Sequence, residues 1–116
     1  VVFQSDPKLA QSFVTSLATV FQSVRPATSL EDARMSVIKN RAEALVLHLE
    51  AASLDDLRYL SRELPGIRIV CNHRVADEKL WIAALDAGAD DCCASSDYKA
   101  IVRAALGRPN GHFEAA

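Results

Sequence analysis

No apolar stretch in this chain approaches the ~18 residues that a membrane-spanning helix requires. Charge of one sign is also missing. Lys and Arg number 13 against 15 Asp and Glu, for a net charge of −2, and the bases are scattered rather than clustered. The basic footprint of a nucleic-acid binder is therefore absent, and no basic stripe suggests a membrane surface. Cysteine is sparse and odd in number: Cys71, Cys92 and Cys93. Three thiols, two of them adjacent, do not make a disulfide framework, so a reducing cytoplasm is the expected compartment. No signal-peptide pattern precedes the first apolar residues. The chain opens on Val1-Val2-Phe3 without an initiator Met, as expected of a piece of a longer protein.

What is present is an ordinary globular composition. Half of the 116 residues are hydrophobic and 24% are charged, enough for one domain and one core. Val1 to Gln4 reads as a short strand, and Asp6-Pro7 as the N-cap and first residue of a helix carrying Leu9, Phe13, Leu17 and Phe21. Ser23 to Thr28 is a weak strand that Pro26 demotes to an edge. Ser29 opens a capping-box-like start to a helix through Ala33, Val37 and Ile38. Leu45 to Leu49 is the most apolar short run, and Ser53 begins a third helix stopped by Pro65-Gly66. Ile67 to Cys71 is a fourth strand, followed by a helix with Leu80, Ile82, Ala83 and Leu85 that ends at Gly88. Asp90 to Ala94 is a fifth strand, and Asp97 caps a last helix.

Five strand–helix alternations predict an α/β fold: a doubly wound, five-stranded parallel sheet of (βα)5 type, in three αβα layers. The domain is expected over 1–106, with 107–116 a linker or disordered tail because Gly107-Arg108-Pro109-Asn110-Gly111 is rich in breakers. In such sheets ligands gather beyond the carboxyl ends of the strands. His48, at the end of the central apolar run, is therefore the residue on which chemistry depends.

The layout resembles the receiver domain of response regulators, a flavodoxin-like or CheY-like fold. Glu43-Ala44-Leu45-Val46-Leu47-His48-Leu49 is similar to that family's third strand, where an Asp stands in place of His48. Leu85-Asp86-Ala87-Gly88-Ala89-Asp90-Asp91 is close to its recurrent Leu-Glu-Ala-Gly-Ala-Asp-Asp, and Val2-Phe3-Gln4-Ser5-Asp6-Pro7 sits where receivers carry an acidic pair. The resemblance covers about residues 1 to 106.

It implies that an active member phosphorylates the strand-three Asp, with Mg²⁺ on the acidic pair, a hydroxyl after strand four and a Lys after strand five. Here those positions fall on His48, on Gln4 and Ser5, on Asn72 or His73, and near Ser95. Phosphoryl transfer needs a carboxylate nucleophile, a hard cation and positive charge on the developing oxyanions. Asp6 alone could offer an acidic ligand, and its better reading is a helix cap. The resemblance therefore points to a degenerate receiver with no cofactor and a lost Mg²⁺ site. Such a domain is not an enzyme but a bacterial interaction or dimerisation module, with a fused output domain possible. Atypical receivers of this kind head some transcription regulators and some pilus-assembly ATPases of the TadZ/CpaE type.

Two rival readings stand beside it. One is a metal- or redox-responsive sensor using His48 with His73, Cys71, Cys92 and Cys93, although their spacing matches no closed site and Cys92 and Cys93 should face opposite ways. The other is an authentic receiver with an unusual acceptor. For docking, Gly88 phasing turns Ile82 and Leu85 inward and leaves Leu80 and Trp81 outward, on the face of helix four, strand five and helix five that receivers commonly use for partners or for self-association. Tyr98 lies near that face. Trp81 is either an anchor there or a cover for the core.

Overall fold

The computed structural model describes residues 1–75 and 77–107. Five strands and five helices alternate: β1 Val2–Phe3, α1 Pro7–Leu17, β2 Pro26–Ala27, α2 Leu30–Asn40, β3 Ala44–His48, α3 Leu54–Glu63, β4 Arg68–His73, α4 Glu78–Ala87, β5 Asp91–Ala94 and α5 Tyr98–Ala105. The strands form one parallel sheet in the order β2-β1-β3-β4-β5. This is the α/β architecture expected from the alternation. Of the expected tail 107–116, Gly107 is described and bonds back to the Ala104 carbonyl, and 108–116 lie outside the described residues.

The sheet divides the core into two layers. Leu45, Leu47, Ile69, Cys71 and Cys92 face one way and pack with Ala33 and Val37 of α2, Leu57 and Leu60 of α3, and Ala84 and Ala87 of α4. Val2, Ala44, Val46, Val70 and Cys93 face the other way, against Phe13 and Leu17 of α1 and Ile101 and Ala104 of α5. Successive β3 residues thus serve opposite layers, as the two-residue period of a strand requires, and every residue of β3 is buried.

Local chemistry sets the helix starts. Asp6 accepts from the backbone N–H groups of Lys8 and Leu9, and Asp77 from those of Lys79 and Leu80. Ser53 and Asp56 make a reciprocal capping box at α3, with bonds of 3.1 and 3.0 Å. At the end of α4 Gly88 has φ 121°, and a Cβ there would collide with the side chain of Ser61. Only glycine allows both that backbone and the close approach of α3.

Several boundaries differ from the sequence expectation, most of the strands by one residue at an end. α1 stops at Leu17, so Phe21, expected on the helix, lies beyond its end, and Val20 between them is 45% exposed. β2 shrinks to Pro26–Ala27, because Pro26 has no N–H to donate and the strand sits at the sheet edge. β4 runs on to His73 rather than ending at Cys71, because it is paired on both sides: Asn72 lies between His48 and Cys93. The helix α4 is also turned from its expected phase. Ile82, expected inward, is 52% exposed, while Ala84 and Ala87 fill the buried face. Small side chains let α4 lie close to the sheet, and the wider Trp81 and Leu85 pack at the margin of that layer.

Candidate functional site

The carboxyl ends of β1, β3, β4 and β5 converge on one buried polar cluster. Gln4, His48, Asn72 and Ser95 are the buried polar residues of the described chain, between 0% and 8% exposed. Parallel register brings them together. Asn72 is opposite His48, and Ser95 follows the last residue of β5, its N–H donating to the His73 carbonyl.

Asn72 is the hub. Its Nδ2 donates to the Leu47 carbonyl at 3.3 Å, which turns Oδ1 toward the centre. There Oδ1 accepts from Gln4 Nε2 at 3.3 Å and from Ser95 Oγ at 2.9 Å, and lies 2.9 Å from His48 Nδ1. A carbonyl oxygen can only accept, so His48 must carry a hydrogen on Nδ1. Gln4 is fixed at its other end too, since its Oε1 accepts from the Asp6 N–H at 3.2 Å. Each buried polar group here therefore has a partner inside the protein, as burial demands.

Just outside this cluster stands the carboxylate that pairs with Arg74. Glu50, two residues past β3, receives Arg74 as a two-pronged pair, with Nε on Oε1 and Nη2 on Oε2, both at 2.7 Å. The same Oε1 is 3.6 Å from His48 Nε2 and 3.7 Å from His73 Nε2. The two imidazoles stack with centroids 6.4 Å apart. The Arg74 guanidinium holds the Glu50 carboxyl below its ordinary range, and Glu50 in turn raises Arg74. His73 Nδ1 accepts from the Val75 N–H at 3.1 Å, tying down the segment that leaves β4.

Of the acidic pair's positions, Gln4 is committed to Asn72, Ser5 is exposed, and the Asp6 carboxylate caps α1. Of the two candidates for the hydroxyl position, Asn72 joins the cluster and His73 stands in the outer shell. The cysteines take no part. Cys71 and Cys92 face one layer and Cys93 the other, all fully buried. Burial is the main cause that pushes all three thiols up, Cys92 to about 12. Among the described residues, no group of three or more His, Cys, Asp or Glu side chains is placed to hold a metal ion.

The docking residues separate. Leu80 is half-buried, and Trp81 is half-buried against the layer beneath α4. Tyr98 packs edge-on against Phe13 of α1, centroids 5.6 Å apart at 76°, in the opposite layer from Trp81. The exposed apolar residues on the α4 side are Val75, 62% exposed, and Ile82. Sequence reasoning missed Glu50, Arg74 and Val75. Twenty-four residues separate Glu50 from Arg74, and only the pairing of β3 with β4 makes them neighbours.

The fold has many solved counterparts. A response regulator from Burkholderia pseudomallei, solved with a phosphorylated aspartic acid, a calcium ion and citrate, matches with a TM-score of 0.76 at 20% identity, over 89% of this chain and 63% of that one. The fold is that of response-regulator receiver domains. The present chain spans less than two thirds of the Burkholderia structure. Two orphan regulators match over more of their length. One is an atypical protein whose structure revealed a new phosphorylation-independent regulatory mechanism, with a TM-score of 0.78 at 16% identity, over 92% of this chain and 91% of that one. The other, from H. pylori, has a TM-score of 0.76 at 17% identity, over 92% and 93%. Sequence comparison finds no matching family model and no matching curated protein. At these identities what is shared is the receiver fold, and the side chains at the strand ends carry the rest of the argument.

Proposed function

We propose that this chain is a degenerate receiver that acts by protein–protein contact and takes no phosphoryl group. The observation that carries this reading is the Asn72-centred cluster, which fills the strand ends with mutually bonded side chains that include no carboxylate. His48 stands in the acceptor's place and offers no carboxylate. Its Nδ1 is engaged with Asn72, and its Nε2 faces Glu50 at 3.6 Å, where a carboxylate repels an approaching phosphoryl donor. The donor set also fails to fit Mg²⁺, a hard cation that needs carboxylate oxygens. Gln4 Oε1 and Asp6 Oδ1 accept from backbone N–H groups, and Glu50 is held by Arg74.

Function then moves to the surface. The face of α4, β5 and α5 is our candidate for docking, with a second copy of the chain as partner, Ile82 as its exposed apolar residue and Val75 exposed on the connection before α4. Three buried free thiols suit a reducing cytoplasm, and a net charge of −2 favours protein over nucleic acid as the partner. The phosphorylation-independent behaviour of the atypical orphan regulator offers a precedent in the same fold.

Beryllofluoride with Mg²⁺ tests the reading. Trp81 is the sole tryptophan, so its fluorescence reports on the α4 side, and no saturable change is expected. Incubation with acetyl phosphate should likewise add no phosphoryl mass. A saturable, Mg²⁺-dependent response would sink the proposal.

A further inference from the structure

The outer shell holds a device that the phosphorylation-free reading does not by itself explain. Glu50 is a resident anion beside the strand ends, and Arg74 is the first residue after β4. Their two-pronged pair, with both bonds at 2.7 Å, crosses from the β3–α3 connection to the segment that leads toward α4. Beside it the Val75 N–H donates to His73 Nδ1, and the His73 ring lies over that of His48. A bidentate guanidinium–carboxylate pair fixes direction as well as distance, unlike a point-charge contact. Glu50 lies beside His48 and His73, whose rings limit where its carboxylate can move.

We infer that Glu50 and Arg74 form a built-in clasp that holds the segment leaving β4 against the strand ends, so that the α4 face is set permanently by a resident carboxylate. The clasp deepens the docking proposal and rests on it, since Val75 and Ile82 are the apolar residues it would position. Nothing has to be added to or removed from the protein for the clasp to close. The inner cluster is what makes it stable in one place: Asn72 holds His48, and His48 backs Glu50. Asp6, an acidic neighbour that favours the charged form of Arg74, adds to the attraction from the β1 side.

Backbone NMR relaxation on the full chain tests the clasp. In the wild type the Arg74 and Val75 amides should be rigid, with order parameters of about 0.85. In Glu50→Gln and in Arg74→Ala both should fall below about 0.6, while Val70 and Cys71 in β4 stay unchanged and certify the fold. Arg74→Lys keeps the charge but loses the fork, and should loosen the segment to an intermediate degree. Unchanged Arg74 and Val75 amides in both variants, or loosening in only one of them, overturn the clasp. Light scattering on the same samples separates the two proposals. Rigid amides with an intact dimer overturn the clasp and leave the docking reading standing. Loosened amides in a chain that is monomeric throughout support the clasp and remove self-association from that reading.

Discussion

Asn72 carries more of the strand-end structure than any other single side chain. Its one oxygen accepts from Gln4 and Ser95 and meets His48, and its amide nitrogen closes on the Leu47 carbonyl. Removing it strands two or three donors in a site with almost no access to water. Each orphaned buried group costs about 1–3 kcal/mol, although the losses will not simply add. Asn72→Ala should therefore lower stability by about 3 kcal/mol in urea unfolding, with no such loss for exposed Ser5→Ala. A loss below about 0.5 kcal/mol would mean that water replaces the amide and that the cluster is not a sealed unit.

Among the elements, α4 departs most from its sequence pattern. Ala84 and Ala87 face the sheet, Trp81 and Leu85 pack at the edge of the layer, and Ile82 turns out. Gly88 caps α4 as its sequence predicts, but the buried face differs from the predicted one, because close helix–sheet packing selects small side chains inside and moves large ones to the margin. A consequence is that anchor and cover are different residues. Ile82→Asp should reduce a dimer to a single chain by light scattering, while its melting temperature moves by no more than about 3 °C. Trp81→Ala should instead lose about 2 kcal/mol of stability, because it opens a gap beside the layer under α4. A dimer that survives Ile82→Asp would take α4 out of the interface.

At the scale of the whole molecule, the sheet divides the thiols between two sealed layers. Cys71 and Cys92 sit in one, Cys93 in the other, and burial pushes each thiol well above its ordinary range. The thiolate is the reactive form, so a native chain at pH 8 presents almost none. Labelling with a disulfide reagent should stay negligible for all three cysteines until urea reaches the unfolding transition, then follow it. Fast labelling of one cysteine in the native protein would revive the redox-sensor reading. That partition keeps Cys71 and Cys92 off the face of His48, and Asn72 stands between His48 and Cys93. Side chains on a strand alternate between faces, while the strand-end residues meet above the sheet.

The sequence by itself determined the fold class, because alternating short apolar runs and amphipathic helices have one compact solution: a parallel sheet covered on both faces. It also fixed which residues stand near the strand ends, since Gln4, Ser5, His48 and Ser95 are read directly from position. Only the tertiary structure decided that Asn72, not His73, joins them, because a one-residue difference in strand register is invisible to pattern. It alone paired Glu50 with Arg74 and turned Ile82 to solvent. Those outcomes depend on which strands lie side by side and how closely a helix packs, and both are long-range properties that local residue order does not contain.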